Sequence, residues 1–354
     1  MNETKSRAPL LITLAIIFSI AYLILAARKL PKEYQFQPIW KINITKQISE
    51  PKEGQEEHYF RLGNNLGYFT EDGDITLYKT FPKLASISDE YFSIYNNYTK
   101  NTTFYEKNGN AKGVINFEGL PYIVEDRIYV MLPGGNSFIK CDKDGNADWQ
   151  YEGIIPITAF SSQSKYTAVG FADGSIYIFN NESGISEIEF APGGSDFPVI
   201  LGIDISDNGE YIASVCGHNK QRFVLAHREE NQPKIIYHTF LDTKGAYQSL
   251  VHFCNDNSRV IYTFEKNIGI YDYKQNQNNI IPINSKIISI RESDTLIFLL
   301  GKNGNEYSVY LLEKTNTLEG SFSFKAETAF IQTGKNSLYI GKDDSISKIS
   351  LERK

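Results

Sequence analysis

Four oxygen-bearing side chains stand at alternate positions in one short run, Asp142, Asp144, Asn146 and Asp148. The chemistry they suggest is capture of a hard cation. Ca²⁺ takes about six to eight oxygen ligands, and the EF-hand type of loop wants Gly at its sixth place and a bidentate Glu at its twelfth. Here those places hold Ala147 and Gly153. The run Glu106-Lys107-Asn108-Gly109-Asn110 has a similar form with less negative charge. Both read as tight turns, and no metal is expected on either.

The 5 histidines, His58, His218, His227, His238 and His252, show no HExxH spacing and no close pair. His252 and Cys254 share one face of a strand and could form half of a zinc site, but a buried strand pair is the plainer reading. No GxSxG elbow, Walker loop or GxGxxG opening a helix is present. The stretches "MLPGGNSF" and "APGGSDFPV" are glycine-rich but open strands, so no helix dipole is offered to a phosphate. The sequence therefore nominates no catalytic residue, no cofactor and no metal. With 3 cysteines (Cys141, Cys216, Cys254), buried free thiols are expected rather than a disulfide framework. A net charge of −6 leaves no basic stripe for nucleic acid.

The elements behind these residues fall into two regimes. From Ala8 to Ala27 runs "APLLITLAIIFSIAYLILAA", free of charge and flanked by Lys5, Arg7, Arg28, Lys29 and Lys32. That length matches a bilayer span, and continuation into basic residues suits a retained signal anchor better than a cleaved peptide. Residues 1–7 form a short tail, 8–27 the anchor and 28–36 a linker. The short tail fits an N-terminus inside the cell, with the remainder outside the cytoplasm.

From residue 37 to 354 there is no amphipathic helical window. Period-two stretches punctuated by Gly, Asn, Asp and Ser continue to the end, and 23 Tyr and 22 Phe against 2 Met favour sheet. Polar turns precede aromatic or β-branched runs at "SQSKYTAVGF", "SDNGEYIASV", "NDNSRVIYTF" and "TGKNSLYIG". A second turn type carries Asp72-Gly73, Asp173-Gly174 and Asn303-Gly304, where Gly takes positive φ without steric cost. The runs after the first turn type start near residues 65, 91, 127, 165, 210, 258, 294 and 336. Their spacing of about forty residues is that of a four-stranded propeller blade. The fold class expected is an all-β, eight-bladed β-propeller preceded by one transmembrane helix, with seven blades as the alternative. The C-terminal segment supplies three strands, so "QPIWKINIT" (37–45) is expected to pair with Ser345–Leu351 and close the ring.

"SDNGEYIASV" and "FADGSIYIF" resemble the turns of WD40-type blades, and "IKCDKDGNADWQYEG" is similar to the tryptophan-docking hairpin of quinoprotein-like propellers, with Asp142, Gly145 and Trp149 in the matching places. The resemblance implies a β-propeller, and among membrane-attached propellers it implies a scaffolding role in the bacterial envelope. Quinone-dependent chemistry fits poorly, because the chain lacks an adjacent cysteine pair and has only Trp40 and Trp149.

What remains is surface. Leu132, Pro133, Phe197, Pro198, His218 and Tyr247 fall in loops that a propeller gathers on one face. Exposed aromatic and proline residues there suit a protein partner, though plugging between blades would also explain them. The expected function is a non-catalytic protein-binding or scaffolding module, held in the bacterial inner membrane by residues 8–27 and facing outward. An envelope enzyme, either a quinone-dependent oxidoreductase or a channel-sited hydrolase or lyase, is the alternative. Convergent ionisable groups in the central channel would favour it.

Overall fold

The computed structural model describes residues 8–26, 34–230, 232–313 and 317–353. Two compact units are present, residues 1–36 with 351–354, and residues 37–350. The first contains a helix, Ala8–Ala26, whose described side chains run from Ile12 to Tyr22. The span expected over 8–27 thus lies partly outside the described residues. Among the described residues, no helix is long and apolar enough to cross a membrane.

The larger unit, together with the strand ends Tyr34–Phe36 and Leu351–Arg353, is built of antiparallel sheets. Among the described residues the strands form eight of them, each a blade whose strands we letter a to d outward from the centre. In chain order the blades occupy Glu57–Thr80, Leu84–Ile115, Leu120–Tyr151, Ile157–Phe190, Ile200–Phe240, Val251–Pro282 and Lys286–Lys325, and the eighth occupies Ala329–Arg353 with Tyr34–Asn43. Their b strands begin at Asn65, Tyr91, Arg127, Tyr166, Tyr211, Arg259, Leu296 and Ser337, within two residues of each start read from the turns. An eight-bladed propeller is the result.

Position in the blade explains each strand's burial. The b strands lie between neighbouring sheets, so Arg259–Phe264 is buried at every residue. The outer strands touch a neighbour on one face, and Leu318–Lys325 alternates between half-buried and exposed. Each core is shared by two blades. Ile176, Ile178 and Ile188 of blade 4 pack with Ile203, Ile205 and Ile212 of blade 5. Gly73 and Gly174 sit at φ +86° and +87° in their b–c turns, the left-handed region that favours glycine.

Two details depart from the sequence reading. The outer strand of blade 8 starts at Tyr34, inside the stretch expected as linker, and ends at Asn43. Among the described residues, blade 1 has three strands. Its outer edge, Ile75–Thr80, meets a crossing segment through a parallel bridge between Ile48 and Ile75 and a bond from Ser49 N–H to Ile75 O (2.8 Å).

The ring closes where blade 8 meets blade 1. Sheet order places Tyr34–Asn43 outside Ser345–Arg353, and Ile44 N–H donates to Asp344 O at 2.8 Å. Trp40 then reaches across to blade 1. Its indole N–H donates to Glu71 O (3.1 Å), and its ring lies 5.9 Å from Tyr339 and 6.5 Å from Phe69.

Candidate interaction face

Leu132-Pro133 and His218 occupy b–c turns of blades 3 and 5, whereas Phe197-Pro198 and Tyr247 occupy the d–a connections that follow blades 4 and 5. Both classes of connection emerge on one face of a propeller. Backbone and side-chain contacts tie them into a continuous rim. Ile157 N–H donates to Gly135 O (2.8 Å) and Ala172 N–H to Pro156 O (2.9 Å), so blade 3 is laced to blade 4. A Cβ on Gly174 would stand 2.5 Å from Pro198, which explains why glycine fills that turn. Gly217 N–H donates to Val199 O (2.9 Å), and the Gln221 side-chain amide donates to Tyr247 O (2.8 Å).

The rim holds its aromatic groups outward. Phe197 is 64% exposed and stands with its ring centroid 6.1 Å from that of His218. Beside it opens a cavity of about 440 Å³ lined by Ser195, Asp196, Phe197, Asn219, Lys220 and Phe240. Its wall is stiffened from beneath. The buried Arg222 donates to Pro192 O (3.2 Å) and Gly193 O (2.9 Å), with its guanidinium 5.9 Å from the Phe240 ring centre. Tyr247 and Pro133 are also exposed, whereas Pro198 is half-buried and Leu132 is half-buried against the core shared by blades 2 and 3.

Two rim residues escaped the sequence reading. Ile154, in the d–a connection after blade 3, is 91% exposed, and Phe240, the last residue of strand d in blade 5, is 59% exposed. Ile154 had a signal in "GIIP". Ile155 packs into the core shared by blades 3 and 4, which leaves its neighbour without an interior role. Phe240 ends a strand whose alternation gives no hint that its last side chain faces a cavity.

The centre of the ring gathers a second, polar set. A cavity of about 610 Å³ is lined by first-strand residues that include Tyr122, Phe160, Asp204, His252 and Arg291. Asp204 is buried and accepts four hydrogen bonds, from Ser161 Oγ (2.5 Å), Gln163 Nε2 (3.3 Å), Ile205 N–H (2.9 Å) and Phe253 N–H (2.8 Å). Burial pushes its carboxyl up, against the pull of His252 and these donors. His252 Nε2 lies 3.6 Å from the Glu292 carboxylate, which accepts from Asn255 N–H at 2.9 Å. Arg291 is spread between Gln332 Oε1 (2.8 Å) and Tyr59 Oη (2.8 Å), joining blades 7, 8 and 1. Ionisable groups therefore do converge in the channel. They come from different blades, and no local spacing announced them.

The run at 142–148 turns over 142–146 and enters the outer strand of blade 3 at Ala147. Asp142 Oδ1 accepts from Asp144 N–H and Asn146 N–H, both at 2.9 Å, and Asn146 Nδ2 donates to Asp142 Oδ2 (3.2 Å). Slight desolvation would raise the Asp142 carboxyl, but these bonds outweigh it and hold it below the usual range. Asp148 pairs with Lys140 at 2.6 Å. Cys141, Cys216 and Cys254 are buried thiols outside any disulfide, and burial pushes the thiols of Cys141 and Cys216 up to about 12 and about 11. Cys254 packs with Ile261 and Ile268. Trp149 docks on the next blade. Its indole N–H donates to Asn181 O (2.9 Å), and its ring stacks on Phe179 at 5.7 Å.

Comparison with known proteins places these features in context. A family model described as "beta-propeller protein" matches residues 1–353. An uncharacterized protein of Treponema pallidum (strain Nichols) is 24% identical over 361 residues, covering 99% of this chain and 96% of that protein. Among solved structures, BamB from Moraxella catarrhalis is similar with a TM-score of 0.60 and 14% identity, over 89% of this chain and 100% of that one. The computationally designed Ika8 protein gives 0.61 and 10%, over 86% and 99%. At these identities the two structures speak for the fold.

Proposed function

The chain belongs to the β-propeller protein family, and from that premise we propose that it is a non-catalytic, membrane-anchored module that binds protein partners in the cell envelope. The observation that carries this reading is the rim. Ile154, Phe197 and Phe240 are more than half exposed on one face, over a scaffold laced by interblade hydrogen bonds. Aromatic anchors on a preorganised surface are what protein interfaces use, and their exposure in a monomer calls for a partner. The likeness to WD40 and quinoprotein-like blades in the turns and the docked Trp149 suits the same role.

Attachment follows from residues 8–27. The segment is free of charge, its described part is helical, and Ile12, Ile17 and Phe18 are exposed. In this reading the helix holds the protein in the bacterial inner membrane, with the propeller outside the cytoplasm. The enzyme reading has one observation in its favour, the channel set of Asp204, His252 and Arg291, with Glu292 beside His252. Against it, Asp204 is saturated with donors and Arg291 is committed to its neighbours.

One purification tests the whole reading. Wild type should stay in the membrane pellet after high-salt washing and, once solubilised, should bring partner proteins with it. An Ile154→Asp, Phe197→Asp double variant should lose those partners while melting as wild type, since both side chains are mainly in solvent. Recovery in the soluble fraction would refute the anchor. Unchanged partners on the variant would refute the face, and leave the channel as the site to pursue.

A further inference from the structure

The blade 8–blade 1 seam holds a second set of chemical groups, distinct from the rim residues of blades 3 to 5. Glu56 precedes strand a of blade 1, His58 lies in that strand, and Glu71 lies in the b–c turn of the same blade. A ring nitrogen of His58 and one carboxylate oxygen each of Glu56 and Glu71 all lie within 4.8 Å of one another. The imidazole is 5% exposed and wedged between aromatic rings, 4.8 Å from Tyr339 and 5.6 Å from Phe69. Among the described residues, no hydrogen-bond partner reaches His58 Nε2, and none reaches the hydroxyl of Tyr339, a residue with 0% exposure.

Buried polar atoms are normally satisfied, and two orphans beside a pair of carboxylates need a cause. The charges that the Tyr339 hydroxyl faces are chiefly those of Glu71 and Glu56. A neutral imidazole offers the lone pair of one ring nitrogen, and His58 Nε2 is left without a protein partner among the described residues. Lys348 Nζ donates to Glu71 O (3.0 Å) and lies 5.6 Å from the Tyr339 ring centre. Its one positive charge against two carboxylates leaves a net negative pocket.

We propose that Glu56, His58 and Glu71 bind a divalent transition-metal ion of the Zn²⁺ class, with the Tyr339 hydroxyl or a water completing its shell. One imidazole nitrogen with two carboxylate oxygens is a donor set that Zn²⁺ accepts and that Ca²⁺, which takes oxygen, does not prefer. Donors lie about 2.0–2.2 Å from bound Zn²⁺, so the carboxylates must close on the fixed ring. Glu56 is exposed and Glu71 half-buried, which leaves both able to turn inward. The ion would join the entry to blade 1 to its b–c turn and, with Tyr339 as the further ligand, would tie blade 1 to blade 8 where the ring's two ends meet.

The test uses the full chain in detergent, stripped with EDTA, and titrated with Zn²⁺ alone. One equivalent should bind and raise the melting temperature saturably. Glu56→Gln and Glu71→Gln should each leave the metal-free melt unchanged and weaken Zn²⁺ binding by more than about tenfold, the scale on which even outer partners of a metal act. His58→Gln should do the same. If that buried substitution fails to fold, the two glutamate variants decide. Absence of one-equivalent binding, binding undiminished in both glutamate variants, or an equal response to Ca²⁺ would each overturn the site.

Discussion

Deletion of residues 37–46 is expected to unfold the whole ring in one step at a markedly lower temperature, and to leave a protein that aggregates. The segment supplies the outer strand of blade 8 and carries three apolar groups into the seam core, the fully buried Ile44 and the partly buried Trp40 and Ile42. Burying an aliphatic side chain of this size is worth about 1.5–3 kcal/mol, and truncating a buried Trp costs about 3–5 kcal/mol, less when part of it is wet. Together they take a large share of the roughly 5–15 kcal/mol that holds a typical domain. The aggregation follows from the uncovered edge of Ser345–Arg353. A gentler version is Ile42→Pro. Ile44 N–H points at Asp344 O, so by the period of two the Ile42 N–H also points inward, and proline removes it. Thermal melts of both variants check this. A deletion that melts like wild type would show that the seam does not depend on this strand.

The second large effect is at Phe138. Its side chain has no solvent exposure and meets Trp149, Phe160 and Phe179 edge-on, with centroids 5.3–5.5 Å apart. Phe160 and Phe179 belong to blade 4, Phe138 and Trp149 to blade 3, so the ring is the bolt between two blades. Phe138→Ala should cost about 3–5 kcal/mol in a urea melt, because neighbouring rings pinned by Trp149 to Asn181 O cannot collapse into the cavity. Phe138→Leu should cost less than half as much. A loss below about 1 kcal/mol for alanine would mean that the blades shift to fill the space.

The two effects differ in how visible their causes were in sequence. Turns are local, so Asp72-Gly73 and Asp173-Gly174 mark b–c reversals, and polar turns such as Ser206–Glu210 mark the b-strand starts. Blade 8 was legible because three strands at the C-terminus lack a fourth, and Tyr34–Asn43 stands there. Blade 1 was not legible as a three-stranded sheet. Its missing edge is met by a polar crossing segment around Ile48 and Ser49 that has no strand pattern to read. Sites fared worse because they are non-local. Asp204, His252 and Glu292 come from three blades, and Tyr339 meets His58 only after the ring has closed. On the rim, loop membership could be counted along the chain, which is why Phe197, His218 and Tyr247 could be named. Exposure could not, and Ile154 was passed over.

The most direct test of the central claim, that one face of this propeller binds protein, is site-specific photo-crosslinking in intact cells. A photoreactive residue at 154, 197 or 247 samples the rim, and one at 165, 210 or 294 samples the a–b turns that emerge opposite. The account predicts that the same partner crosslinks at all three rim positions and at none of the controls. Crosslinks confined to the a–b turns, or no rim adduct at all, would contradict it.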